Sequence, residues 1–166
     1  MQEIPFAESP GDILDTLHRI SFLREIDDRH LQSIFRMSKV ISYEKGEKII
    51  VEGACESHLF ILLVGEVKIT KYDTVVAWLH QTGDIFGELA IIDYMPRSAT
   101  ATALTATTCL ALDAAYFDSL PPADQAVIYA ILYKSLAQIV TERLRSTSEE
   151  LASLKRGIMS GAPVTA

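Results

Sequence analysis

The stretch with the most chemical content is 86–100, FGELAIIDYMPRSAT, in which Glu88 follows Gly87 and Arg97 leads into Ser98 and Ala99. A carboxylate turned into a pocket offers two acceptor oxygens to a sugar hydroxyl. An arginine offers a planar fork of donors that matches the oxygens of a phosphate. Gly87 carries no side chain where a helical turn is expected to open, so free backbone N–H groups there would face an anion. Glu88 is expected in the first turn of that helix, where negative charge is favoured. Ser98 adds a hydroxyl and a backbone donor, and Ala99 is small enough for the chain to pass close to a ligand. A plain helix cap, or a Glu–Arg salt bridge tying a loop to a strand, would also account for Glu88 and Arg97. It would leave the glycine, the short helix inside a β region and the small residues after Arg97 without a reason.

Those residues need a frame, and the pattern around them supplies one. β-Branched runs recur at 48–51, 59–63, 66–72, 75–79, 100–103 and 108–112, with turn signals at Gly46, Gly53, Gly65, Gly83 and Gly87. Many short strands at this spacing predict an antiparallel sandwich or barrel. The segment 88–93 lacks alternation and reads as a short helix between strands. Upstream, Ile13, Leu14, Leu17 and Ile20 recur at helical spacing. A second helix is expected over 28–37, with Leu31, Ile34 and Phe35 on one face and Asp27 and Asp28 at its start. The expected organisation is a flexible arm over 1–11, N-terminal helices within 12–37 and a β-barrel over 38–120. A helix over 121–156 and a disordered tail over 157–166 complete it.

A chain of 166 residues with 49% hydrophobic and 22% charged residues fits one soluble globular domain. A net charge of −7 argues against nucleic acid as a direct partner. It leaves room for a small anionic ligand, which needs only one well-placed cation. Cys55 and Cys109 lack metal or redox spacing and read as buried free thiols in a reducing compartment. The N-terminus lacks the pattern of a secretory signal. The apolar stretch 126–140 is interrupted by Lys134 and Gln138 and is short for a membrane span. A cytoplasmic protein with no membrane partner is expected. His18, His30, His58 and His80 are scattered, so a metal-dependent cupin enzyme, a rival that shares the β architecture, would lack its ligand cluster. No metal, no cofactor and no catalytic residue are expected.

The run FGELAIIDYMPRSATATA resembles the phosphate-binding cassette of the cyclic nucleotide-binding domain family, the family of protein kinase A regulatory subunits and the catabolite activator protein. The similarity continues through Phe22-Leu23, Tyr43, Gly46-Glu47, Ile49 to Gly53, Phe60-Ile61, Gly65-Glu66-Val67 and Gly83-Asp84, over roughly 20–155. It implies a mainly β fold with flanking helices: a double-stranded β-helix, or jelly-roll, barrel with N-terminal helices and a long C-terminal helix. It implies a non-enzymatic regulatory sensor whose ligand is cAMP, favoured here over cGMP. Glu88 would hold the ribose 2′-hydroxyl and Arg97 the cyclic phosphate. Phe86, Gly87, Leu89, Ala90, Ser98 and Ala99 would complete the cradle. Ala54 departs from the family, which often has Asp after the Gly53 turn, and is expected to affect turn geometry rather than the ligand. A module that keeps the fold as a protein-docking scaffold is the alternative, and the intact Glu88 and Arg97 weigh against it.

The C-terminal pattern carries a second signal. Tyr133, Ala137, Val140, Leu144, Thr147, Leu151 and Leu154 alternate steps of four and three, an a/d seam. Ile128, Leu132, Leu136 and Ile139 form another stripe. Two stripes imply two tasks: one packs on the barrel, and the other pairs with a second copy of the chain in a homodimer. The segment around Thr147-Ser148 resembles the part of the catabolite activator helix that contacts adenine, which implies a base-binding role for Thr147 and Ser148. No output element is expected after the helix, so the module would act as a stand-alone sensor working through another, effector protein.

Overall fold

The β-branched runs, separated by positive-φ turns, cannot each bury both faces alone, and they solve this by forming two antiparallel sheets. The computed structural model describes residues 2–4, 27, 29, 31–32, 34, 38–92, 95–113, 115 and 119–159. Nine strands lie among them: β1 (Gln2–Ile4), β2 (Lys39–Tyr43), β3 (Lys48–Ile50), β4 (His58–Val64), β5 (Val67–Lys71), β6 (Thr74–Leu79), β7 (Ile85–Phe86), β8 (Thr100–Ala103) and β9 (Thr107–Asp113). One sheet runs β1-β2-β9-β4-β7 and the other β3-β8-β5-β6, with every pairing antiparallel. Apart from the pairs β1–β2 and β5–β6, consecutive strands lie in different sheets, as the expected jelly-roll requires.

The first sheet centres on β4 and β9. In β4 the five residues from Leu59 to Leu63 are all buried, because the strand is covered on both faces and loses the alternation of a one-sided strand. Phe60 and Leu62 join Ile49, Ile50, Val67, Phe86, Ala101, Ala103 and Cys109 in one apolar cluster. Phe60 and Phe86 stack with ring centroids 5.4 Å apart, and each such ring contributes roughly 1.5–3 kcal/mol by leaving water. This pair seats β7 on β4 (Phe60 opposite Phe86, Ile61 opposite Ile85) and so fixes where the chain enters 86–100.

Several sequence expectations are revised. The arm expected to be flexible contributes β1, which pairs Gln2 to Ile4 with Ser42 to Val40. The unpaired edge of β2 supplies the hydrogen-bonding groups that an isolated arm lacks. Strands β2 and β7 carried no separate signal, the latter because two residues show no period. Of the second expected helix, residues 29, 31, 32 and 34 are helical, and Leu31 and Ile34 are buried. Phe35 and the whole of the first expected helix lie outside the described residues. Cys109 is buried, but Cys55 is exposed, because it sits in the loop between β3 and β4 rather than in a strand.

Two helices follow the same logic of local signals. The short one, α1 (Leu89–Ile92), lies where alternation fails. The long one, α2 (Pro122–Met159), starts on a proline, whose fixed φ and absent N–H suit a first helical position. It also continues past Gly157, where a tail was expected to begin. A helical glycine costs about 1 kcal/mol against alanine but does not stop a helix. The remainder of the expected tail, 160–166, lies outside the described residues. By its internal contacts the chain divides into a unit ending at Ile131 and a second beginning at Leu132. The second is helical through Met159, with Leu132, Ser135 and Leu136 buried and Tyr133, Leu144, Leu151 and Leu154 exposed. No helix among the described residues is long and apolar enough to cross a membrane.

Candidate functional site

Strand β7 ends at Phe86, and the chain turns at Gly87 with φ 77°, a left-handed conformation that side chains rarely adopt. The crowding is as restrictive as the dihedral. A Cβ on Gly87 would lie 2.8 Å from Arg97 Nη1, 2.9 Å from Ile50 Cδ1 and 3.2 Å from the His58 carbonyl oxygen. Glycine is needed here because the arginine side chain packs directly on the turn.

Glu88 is buried at 2% exposure. It precedes α1 rather than lying in its first turn as expected: the Ile92 N–H donates to the Glu88 carbonyl at 3.3 Å. That is the position flanking the helix, so its side chain is not committed to the helix surface. Leu89 is the first residue of α1 and is partly exposed, and Ala90 follows it in the helical backbone.

Arg97 is held from several directions. Its backbone forms a two-bond bridge to the β3–β4 loop: Arg97 N–H donates to the Ala54 carbonyl, and Gly53 N–H donates to the Arg97 carbonyl, each at 2.8 Å. Its side chain is 4% exposed. Nη1 donates to the Gly87 carbonyl at 2.8 Å and Nη2 to the His58 carbonyl at 2.7 Å. The guanidinium lies 6.0 Å from the centroid of the Phe60 ring, within reach of a cation–π attraction. Nε is buried and has no hydrogen-bond partner. A guanidinium has five N–H donors, so two carbonyls leave its capacity incomplete. A buried charged donor without a partner is costly, and an anion's oxygen is the kind of partner that fits.

Burial lowers the Arg97 pKa from its ordinary value, while the carboxylates of Glu56 and Glu88 raise it. The starting value is so high that the group stays cationic at neutral pH. A buried cation with two acidic neighbours, set against a glycine turn, can attract an anion and present a carboxylate to a hydroxyl beside it. Ser98 is exposed and Ala99 half-buried, directly before β8.

The structure brings Phe86, Gly87, Glu88, Leu89, Arg97, Ser98 and Ala99 into one region at the mouth of β7 and β8. Thr147 and Ser148 are exposed on α2, in the second unit of the chain. Three contributors were not anticipated: the His58 carbonyl, the Ala54 and Gly53 backbone, and the Phe60 ring. The Ala54 carbonyl receives the Arg97 amide, a main-chain contact that does not depend on the side chain at 54. Main-chain partners carry no residue-type signal, although the Gly53 turn marked the place. Among the described residues no group of three or more His, Cys, Asp or Glu side chains could hold a metal ion.

Comparison with known proteins places this geometry in context. Residues 40–122 match the model of the cyclic nucleotide-binding domain. The cAMP-dependent protein kinase regulatory subunit of Dictyostelium discoideum is 32% identical over 118 residues, 66% of this chain and 36% of that protein. The CRP-like cAMP-activated global transcriptional regulator of Mycobacterium tuberculosis is 25% identical over 146 residues, 84% of this chain and 62% of that protein. The chain thus spans about a third of the first relative and just under two thirds of the second. Among solved structures, Sp-2Cl-cAMPS bound to PKAR CBD2 superposes with a TM-score of 0.68 at 28% identity, covering 87% of this chain and 95% of that one.

Proposed function

The chain belongs to the cyclic nucleotide-binding domain family, and from that premise we propose that it is a regulatory sensor that binds a cyclic nucleotide at Glu88 and Arg97, with cAMP as the preferred ligand. The observation that carries the proposal is the buried, unpartnered Nε of Arg97 beside a glycine turn that admits no Cβ. A cyclic phosphate completes the guanidinium, whose orientation is already fixed by the Gly87 and His58 carbonyls. Such preorganisation lowers the ordering cost of binding. Glu88 accepts a hydrogen bond from the ribose 2′-hydroxyl, and the main chain at Phe86, Gly87, Leu89, Ala90, Ser98 and Ala99 closes around the sugar and phosphate. These roles are binding roles, and no catalytic residue is assigned.

The base is assigned to Thr147 and Ser148 of α2, and α2 is assigned to a parallel homodimer. The apolar seam supports this. Tyr133, Leu144, Leu151 and Leu154 are exposed, and Ile158 extends the four–three spacing beyond Leu154 at 69% exposure. With these residues at a and d, Glu150 falls at g and Lys155 at the next e. In a parallel, in-register pair these two face each other with opposite charge. The nucleotide acts on the dimer only by its difference in affinity between two arrangements of the helix. A cytoplasmic location and a separate effector protein complete the proposal.

Calorimetric titration with cAMP, cGMP and 2′-deoxy-cAMP tests it. Tighter binding of cAMP than of either analogue is expected. Binding of none of them overturns the reading, and equal binding of the deoxy analogue removes Glu88 from its role.

A further inference from the structure

Glu52, in the turn that follows β3, is bonded to two different parts of the chain. Its backbone N–H donates to Thr100 Oγ1 at 3.0 Å, at the start of β8 and the end of the 86–100 run. Its neighbours Gly53 and Ala54 form the two main-chain bonds to Arg97. The Glu52 carboxylate reaches another element: Oε1 lies 2.7 Å from Lys71 Nζ, and Oε2 accepts the Tyr72 amide at 3.2 Å. Lys71 ends β5, and Tyr72 opens the turn into β6. One half-buried residue therefore joins the β5–β6 hairpin tip to the segment that holds Arg97.

The tip needs such a tie. Lys71 stands opposite Thr74, so Tyr72 and Asp73 form a two-residue turn, and both have positive φ, 48° and 62°. A hairpin turn of this kind favours Asn and Gly, and a bulky residue is strained there. Tyr72 is 79% exposed, with the Lys71 ammonium 4.4 Å from its ring centroid. Little apolar packing holds the tip, and segments of that kind open most easily. The bonds to Glu52 supply the restraint.

We propose that Glu52 is a positioning residue for the nucleotide: by fixing the hairpin tip to the 52–54 turn it holds the Arg97 main chain in place, so that ligand binding and ordering of the tip reinforce each other. The proposal rests on the reading of Arg97 as the phosphate contact. Coupling between two sites is reciprocal. A clamp that helps Arg97 hold the phosphate is itself tightened by the phosphate, and the Tyr72 amide, bonded to the clamp, reports this. The sign of the effect separates the clamp from plain electrostatics. Removing the Glu52 charge alone would favour a nearby anion, and removing the Lys71 charge alone would disfavour it. Loss of the clamp weakens binding in both cases.

Calorimetry with cAMP on the full chain, Glu52→Ala, Lys71→Ala and the double variant, each checked for folding by circular dichroism, is combined with amide exchange at Tyr72 followed by NMR. Glu52→Ala should bind cAMP about three- to tenfold more weakly than wild type, with Lys71→Ala changed in the same direction. The double variant should bind no more weakly than Glu52→Ala, because both residues serve one contact. Saturating cAMP should slow exchange of the Tyr72 amide in wild type but not in Glu52→Ala. Glu52→Gln keeps an oxygen for that amide and loses the ion pair, so it should fall between the two, and it carries the comparison if the alanine variant does not fold. Equal or tighter cAMP binding by the folded Glu52 variants overturns the proposal. So do additive losses in the double variant, or a Tyr72 amide whose exchange ignores cAMP. A wild-type chain that binds no cAMP overturns the reading of the site itself, and the proposal with it.

Discussion

Gly87 and Arg97 are fitted to each other: the Gly87 carbonyl accepts a hydrogen bond from Arg97 Nη1 at 2.8 Å, and a Cβ on Gly87 would stand 2.8 Å from that same nitrogen. Gly87→Ala therefore strains the backbone at φ 77° and displaces the guanidinium. The strain alone costs about 1–2 kcal/mol. Urea denaturation should show a loss of about 2 kcal/mol or more, and cAMP titration a clear weakening. A variant of wild-type stability and affinity would show that the turn and the arginine are independent.

The link between the β3–β4 turn and the β5–β6 hairpin is predicted to be pH-sensitive. Lys71 Nζ lies 2.7 Å from Glu52 Oε1, and the Tyr72 amide donates to Glu52 Oε2 at 3.2 Å. The Lys71 contact, with the Tyr72 amide second, lowers the Glu52 pKa, and the Glu52 contact raises that of Lys71. The carboxylate's contribution is present above its unfolded pKa and lost as pH falls through the lowered folded value. The lysine's is present below its unfolded pKa and lost as pH rises through the raised one. The stability gap between wild type and Glu52→Gln should be widest between about pH 5 and pH 10 and close on either side. A gap of constant width across denaturation curves in this series would contradict the assignment.

The two thiols should differ sharply in reactivity. Cys55 is exposed, whereas burial raises the Cys109 thiol to about 12, where almost no thiolate exists at neutral pH. A chromogenic disulfide reagent should label Cys55 rapidly in the native protein and Cys109 only after denaturant is added. Equal labelling rates would place Cys109 outside the core.

The seam on α2 predicts that charge placed within it separates the copies. Leu151→Glu puts a carboxylate at an a position, where two copies would set like charges together. Light scattering coupled to size exclusion should change from dimer mass to monomer mass. A wild-type chain that is monomeric at high concentration would remove the homodimer from the account.

Much of the β region was legible because two local signals coincide, glycine turns and β-branched runs. The run 100–103 matches β8 residue for residue, and Gly46, Gly53, Gly65, Gly83 and Gly87 all have positive φ. What escaped was structure that only pairing creates. Strand β7 is two residues long and exists because Phe86 stacks on Phe60, and β1 exists because the β2 edge was free. The helix past Gly157 was missed for the opposite reason, since one unfavourable residue was given the weight of a stop. At the site, Glu88 and Arg97 could be named from their types, but the His58, Gly87 and Ala54 carbonyls that hold Arg97 could not. Every residue has a carbonyl, and its partner depends on the fold.

The central claim is that Arg97, with Glu88, grips the ribose and phosphate of a cyclic nucleotide. Calorimetric titration of wild type and Arg97→Ala with cAMP, with both proteins checked for folding by thermal melting, tests it most directly. The account predicts saturable binding by wild type and a loss of about 100-fold or more in the variant, on the order of 3 kcal/mol. No binding by wild type, or equal binding by the folded variant, would contradict it.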